Sequence, residues 1–202
     1  MPVTPDFWSG RRVLLTGHTG FKGSWMSLWL EALGAEMHGL SLAPASSPAL
    51  SDDLSPWSNL TSHIGDIRDA DFTRKVVEEA APEIVVHMAA QSLVPRSFSE
   101  PEETVSTNVL GTVNLLQALR NCNDLKCALI VTSDKVYRNR DHAIAFDEDA
   151  PLGGDDPYSA SKAAQDIIAQ SWAKSFFAHG KAVVATARAG NVIGGGDFSD
   201  DR

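Results

Sequence analysis

The chain has 202 residues, 43% of them hydrophobic and 21% charged, which is enough for one domain with a substantial core or at most two small ones. A formal net charge of -9 and a pI near 5.0 argue against a surface built to neutralise nucleic-acid phosphates, and no run of about 18 apolar residues offers a membrane span. The two cysteines, Cys122 and Cys127, have no neighbouring histidine or cysteine cluster of zinc-site spacing and are expected to be reduced, with no metal implied.

The opening "MPVTPDFWSGRR" has no apolar signal core, so the expected compartment is the cytoplasm. Arg12 to Thr16 reads as a buried strand that runs into "GHTGFKG" and a helix over Gly20 to Leu33. In that helix Trp25, Leu28, Trp29 and Ala32 are expected to form the stripe facing a sheet, with Gly34 closing it in a left-handed conformation. A strand over Glu36 to Ser41 leads into "APASSPALSDDLSPWSN", residues 43 to 59, which reads as an irregular loop. Beyond it come a short strand near Ser62 to Gly65, a helix over Ala70 to Ala80 and a strand over Glu83 to Met88. A helix over Pro101 to Asn121, a strand over Ala128 to Thr132, a helix over Pro157 to Phe177 and a strand over Ala182 to Arg188 complete the chain. Strands alternating with helices predict an α/β fold: one doubly wound, Rossmann-type parallel sheet with helices on both faces.

Three features carry chemistry. Gly17, Gly20 and Gly23, between a buried strand and a helix, let the backbone turn and admit a pyrophosphate against bare N–H groups at a helix N-terminus. His18 and Lys22 are candidates to lie near those phosphates. The second strand ends at Ser41 without the acidic residue that usually holds the ribose of NAD, and without an arginine for an extra phosphate; NAD is the expected cofactor. In "PYSASK", Tyr158 and Lys162 stand four apart on one helix face, so the ammonium can favour the tyrosinate needed as a base. Finally, "LIVTSDKVY" leaves Thr132, Ser133, Asp134 and Lys135 beyond a strand end, where ligands collect in open parallel sheets.

Taken in order, "LLTGHTGFKGSW", "GDIRD", "TNVLGT", "VTSDK", "LGGDDPYSASK" and "RAGNVIGGGDF" resemble the extended short-chain dehydrogenase/reductase family of nucleotide-sugar enzymes, most nearly its members that dehydrate CDP-linked glucose. The resemblance implies an NAD-dependent lyase of deoxysugar biosynthesis. Tyr158, supported by Lys162 and Ser133, would take the sugar's 4-hydroxyl proton as hydride passes to NAD. Asp134 would be the acid for the departing 6-hydroxyl, in a closed and poorly hydrated site that raises its pKa. Lys135 stands where related dehydratases carry Glu, and its role as carbon 5 base or enolate-stabilising cation stays open.

For the cofactor, the resemblance implies contacts from the turn residues Gly17, His18, Gly20, Phe21, Lys22 and Gly23, from Ser41, and from Asp66 and Ile67 at the adenine. Ala89, Ala90 and Gln91 would lie over the ribose, with Asn108, Tyr158 and Lys162 near the nicotinamide. Gln91, Ser133 and Asn191 would reach the nucleotide sugar. Self-association through the helices around Leu110 to Leu119 and Gln165 to Phe176 is also implied, while their apolar count would equally suit packing against the missing lobe. The chain departs from the family's aromatic-rich pattern in "RDHAIAFDEDA" and in "SLVPRSF", which places Arg96 behind Pro95 and Phe98 where a tyrosine is usual. Family members continue well past "GGGDF", so the chain is expected to hold the cofactor half and the catalytic side chains without most of the nucleotide-sugar lobe. Competing readings are another nucleotide-sugar epimerase or dehydratase, and a non-catalytic NAD-binding module.

Overall fold

Short runs rich in Val, Leu and Ile can bury both faces only between two layers of helices, and that is how they are used. The computed structural model describes residues 5–55, 57–139, 145–178 and 182–199. Its strands are β1 (Arg12–Thr16), β2 (Glu36–Ser41), β3 (Leu60–Ile64), β4 (Ile84–His87), β5 (Cys127–Val131) and β6 (Val183–Ala187). All pair in parallel, in the order β3-β2-β1-β4-β5-β6. The helices include α1 (Phe21–Ala32), α2 (Ala70–Ala80), α3 (Pro101–Val105), α4 (Gly111–Leu119) and α5 (Pro157–Phe176).

The chain steps outward one way from β1 to β3 and then the other way from β4 to β6. Right-handed crossovers therefore place α1 on one face and α2, α4 and α5 on the opposite face. Alternation along each strand serves the two layers. Leu14, Val85 and Ile130 pack with Val76, Val77, Leu115, Leu116 and Ala169 on one side, while Val13, Leu15 and Val86 pack with Leu30 and Met37 on the other. The strand order reverses between β1 and β4, and a crevice opens there beyond the carboxyl ends of the strands.

The buried face of α1 is not the aromatic stripe that its spacing predicts. Gly23, Ser24, Ser27 and Leu30 face inward, whereas Trp25 and Trp29 are 45% and 50% exposed and Leu28 is exposed with them. The β1–α1 turn dictates this rotation. The helix sits so close to the turn that a Cβ on Gly23 would overlap the Gly17 carbonyl oxygen, and Ser24 Oγ donates to the His18 carbonyl at 3.1 Å. Small residues must occupy that side. Gly34 has φ 78° and ends the helix as its position predicts.

Three further elements depart from expectation. The Pro/Ser-rich segment contains a helical turn at Leu50–Leu54, and another helix, Val94–Ser99, follows β4 with Pro95 in its first turn. The long helix expected over 101–121 contains a π-helical turn, Ser106–Leu110, between α3 and α4, closed by Gly111 N–H donating to Ser106 O. Of the aromatic-poor stretch 140–150, residues 140–144 lie outside the described residues. Among the described residues no helix is long and apolar enough to cross a membrane.

Candidate active site

Two cavities lie end to end along the crevice. The first, of about 350 Å³, runs from the glycine turn past Ser41, Asp66 and Ala89 to Tyr158 and Lys162. The second, of about 600 Å³, lies between the β5 end, where Ser133, Asp134 and Lys135 stand, and the segment carrying Asn191. Tyr158, Thr132 and Lys22 line both, so the phenol ring stands at their junction.

The turn that floors the first cavity is bare backbone. Gly17, at φ 80°, lies so near β4 that a Cβ would come within 2.8 Å of Ala89 N. Gly20 N–H bonds back to Gly17 O, and Ser24 N–H to Gly20 O, so the first turn of α1 opens straight onto the cavity. Gly17, Gly20, Phe21, Lys22 and Gly23 line it together. His18 does not. Its ring lies under Gly39, with Nε2 2.7 Å from Ser62 Oγ, and burial with the nearby His63 lowers its pKa to about 4. It is a neutral buried side chain propping β2 and β3 rather than a group facing the cleft.

The far wall is held by polar side chains already committed to the protein. Ser41 is buried against Thr19 Oγ1 at 2.6 Å, and Thr19 also donates to Leu42 O. Asp66 lines the cleft, with its carboxylate clasped by the Arg68 guanidinium, whose hydrogen bonds hold it below the usual carboxylate range. Ile67 is buried, and its carbonyl accepts from Asn114 and Thr73. Ala89 and Ala90 line the cleft as expected. Gln91 lines it too, but its amide is spent internally on Leu93 and Thr104. Asn108 does not line either cavity. Fully buried on the π turn, it accepts from Gln91 N and donates to Gln91 O and Ser161 Oγ. Ser161 Oγ in turn donates to Tyr158 O. Asn108 thus fixes the β4 loop to the start of α5.

Helix α5 begins with Asp156 as its cap, accepting from Ser159 N at 2.9 Å and Ser159 Oγ at 2.5 Å, and Pro157 occupies the first helical position. One turn in, Lys162 is only 3% exposed. Its Nζ donates to Val131 O at 3.1 Å and Gln165 Oε1 at 2.5 Å. Burial, followed by repulsion from Lys22 and opposed by Asp166, lowers its pKa to about 7. The cation that the Tyr158–Lys162 spacing suggests is therefore a costly one, poised to lose its proton near neutrality until negative charge enters the cleft.

At the β5 end, Ser133 Oγ donates to Asp134 Oδ1 at 3.2 Å and accepts from Lys135 N. The closed surroundings expected for Asp134 are absent from the described residues: Asp134 and Lys135 are exposed at the cavity rim, and Ile193 opposite is 93% exposed. Thr132 points inward instead, donating to Asp166 Oδ2 at 2.9 Å. Asp166 is itself fully buried and paired with Arg188 at 2.9 Å.

Sequence reasoning missed the residues beneath the site, namely His87, Thr112, Gln165, Asp166 and Arg188. Gln165 and Asp166 had a signal, standing three and four residues beyond Lys162 on its helix; the others meet only through the fold. The one cluster of possible metal ligands among the described residues, His38, His63 and Glu79, lies on β2, β3 and α2. The two rings are 15° from parallel with centroids 5.2 Å apart and ring nitrogens 3.0 Å apart. His38 Nδ1 and His63 Nε2 thus share a hydrogen bond with each other.

Comparison with known proteins accounts for most of this chain. The chain is 47% identical over 99% of its length to CDP-glucose 4,6-dehydratase of Salmonella typhimurium, covering 57% of that protein. It is 32% identical to dTDP-glucose 4,6-dehydratase of Xanthomonas campestris over 79% of this chain and 48% of that one. Among solved structures, DesIV, a dTDP-glucose 4,6-dehydratase from Streptomyces venezuelae solved with NAD bound, superposes with a TM-score of 0.73 at 31% identity, over 82% of this chain and 52% of that one. The chain thus spans about half the length of the relatives it matches. The family model described as GDP-mannose 4,6 dehydratase matches residues 14–187, and the chain belongs to that family of Rossmann-type sugar-nucleotide enzymes.

Proposed function

We propose that the protein is an NAD-dependent nucleotide-sugar 4,6-dehydratase, with CDP-glucose as the preferred substrate. The observation that carries this reading is the position of Tyr158 where the two cavities meet, with buried Lys162 beneath it. The first cavity suits a dinucleotide: bare amides at a helix N-terminus and Lys22 for the pyrophosphate, and the small Ser41 and Ala43 at the β2 end. The one arginine lining it among the described residues, Arg96, is paired with Glu103, which favours NAD over a cofactor bearing a further phosphate. Gly17, Gly20, Phe21, Lys22, Gly23, Ser41, Asp66, Ile67, Ala89, Ala90 and Gln91 would hold it. His18 and Asn108 would act through the wall they support, and Tyr158 and Lys162 at the nicotinamide end.

When bound, NAD supplies a reversible acceptor for the sugar's carbon 4 hydrogen, later returned to carbon 6. Tyr158 takes the 4-hydroxyl proton, with Lys162 as the neighbouring cation that favours its anion and Ser133 alongside. The resulting ketone acidifies the carbon 5 hydrogen. Asp134 protonates the departing 6-hydroxyl, and Lys135 serves the developing enolate as base or as cation. Asn191 faces the sugar-phosphate side of the second cavity. The 47% identity to a CDP-glucose enzyme and Lys135 beside Asp134 support the choice of base.

A self-associating enzyme fits this reading, since Leu110 on the π turn and Ile167 and Phe176 on α5 are exposed apolar side chains on the helices expected to pair; a cytoplasmic location is part of the same proposal. The test is turnover of CDP-, dTDP- and GDP-linked glucose with NAD, by this chain and by a longer one that carries the nucleotide-sugar lobe, followed by the absorbance of the 4-keto product in alkali; the outcomes are read from the longer chain. Wild type should dehydrate the CDP sugar preferentially, and Asp134→Asn should stop elimination. Dehydration that survives Asp134→Asn rejects that acid, and conversion of the sugar at carbon 4 without loss of water rejects the dehydratase.

A further inference from the structure

A chain of buried hydrogen bonds runs from Lys162 across the sheet to the cleft wall, and counting its protons leaves one arrangement. Thr16 Oγ1 accepts from Met88 N at 3.1 Å and Ala89 N at 3.0 Å. The Met88 N–H is shared with Thr16 O at 3.1 Å, and the acceptor for the Thr16 hydroxyl proton among the described residues is His87 Nδ1, 2.7 Å away. His87 Nδ1 is therefore an acceptor and Nε2 carries the hydrogen, which goes to Thr112 Oγ1 at 2.9 Å. Thr112 Oγ1 receives a second hydrogen from Gln165 Nε2 at 2.8 Å and gives its own to Asn108 O at 2.8 Å. With its NH₂ turned to Thr112, the Gln165 amide can present only its oxygen to Lys162 Nζ. All these side chains are fully or almost fully buried, so water cannot replace any link. Burial, with the charge of Lys162 adding to it, lowers the His87 pKa to about 3 and keeps the imidazole neutral.

We propose that Gln165 is the positioning residue for Lys162, its amide orientation held by Thr112 Oγ1, which spends its own proton on Asn108 O and can only accept from Gln165. The assignment rests on the dehydratase reading only for its consequence in catalysis; the hydrogen-bond chain stands without it. Turning the amide over would set its oxygen against Thr112 Oγ1, whose proton is committed to Asn108 O, and its NH₂ against the ammonium, leaving Val131 O as the remaining acceptor. Its other end, the Met88 and Ala89 amides, belongs to two residues that line the first cavity. The charges near Lys162 Nζ are Lys22 from α1, His87 from β4 and, on its own helix, Asp166 and the ionisable Tyr158; Gln165 is the neutral group that contacts the ammonium directly.

The test is the titration of the Lys162 side-chain nitrogen by NMR of protein labelled with ¹⁵N-lysine, assigned through Lys162→Met, in wild type, Gln165→Met and Gln165→Glu. Methionine keeps the volume and removes the acceptor, so the midpoint should fall by about one pH unit; glutamate places an anion on the ammonium, so it should rise by about one unit or more. A packing role alone would lower stability in both variants without moving the midpoints apart. Midpoints that stay put, or move the same way in both variants, overturn the proposal; if one variant does not fold, the direction of shift in the other decides. A shift as expected, in a longer chain that carries the nucleotide-sugar lobe and still turns over no nucleotide sugar, keeps the positioning role and removes the dehydratase reading instead.

Discussion

Gly23 and Gly17 are in backbone contact across the β1–α1 turn, with no room for a methyl group between them. The obstruction is a carbonyl, which no rotamer change can relieve, and the same methyl would crowd the His18 Cα at 2.8 Å. Gly23→Ala should therefore push α1 away from the turn, at an overpacking cost on the order of 3 kcal/mol, and open the amide cradle. Thermal denaturation should show the loss of stability and calorimetry a loss of NAD binding. An alanine variant with wild-type affinity would mean that the cradle is not where the pyrophosphate sits.

Asp166 and Arg188 form a buried ion pair that also receives Thr132 and Gln170. Burial works against the carboxylate, yet the hydrogen bonds from Arg188, Gln170 and Thr132 hold its pKa below the ordinary value. Arg188→Met leaves an unpaired charge where water does not reach and should cost about 3–5 kcal/mol in urea unfolding. Removing both charges, in Asp166→Asn with Arg188→Met, should recover much of that loss. A double variant as unstable as the single one would show that the pair does not act as a unit.

The two pairs differ in how far the sequence reveals them. The glycine turn could be read directly, because only residues without a Cβ tolerate φ near 80° and backbone contact, and the alternation of strands and helices announces the parallel sheet. Tyr158 and Lys162 were also legible, since four residues on a helix is one face. The face that α1 buries was not, because tryptophan and leucine at helical spacing outweigh Gly23 and Ser24 in any hydrophobic pattern, whereas close approach to the turn decides the packing. The π turn at Ser106–Leu110 was hidden for a related reason: the side chains buried at and beside it, Thr104, Asn108 and Thr112, are polar and add nothing to an apolar pattern. Asp166 and Arg188 lie 22 positions apart, and His87 reads as one more residue of a buried strand until Thr16 and Thr112 are seen on either side of it.

Lys162 and Lys22 repel each other across the cleft, and with burial this lowers the Lys162 pKa to about 7 from an ordinary 10.5. A pyrophosphate beside Lys22 offsets that repulsion, so the complex with NADH, whose nicotinamide ring is neutral, should hold the Lys162 proton to higher pH than the free protein does. Because the bound-state pKa is the higher one, binding takes up a proton and tightens as pH falls toward 7; affinity is lost as pH rises above 7. Calorimetry near pH 8 in two buffers of different ionisation enthalpy should reveal fractional proton uptake, absent in Lys162→Met. Equal apparent enthalpies for wild type in the two buffers would contradict the coupling.

The most direct measurement compares turnover with dinucleotide affinity in Tyr158→Phe, which removes a single oxygen from the point where the two cavities meet. If that oxygen takes the sugar's proton, turnover of CDP-glucose should fall by about 10²–10⁴-fold while NAD affinity changes by no more than a few-fold. Turnover close to wild type in a phenylalanine variant that still binds NAD would show that the proton leaves by another route.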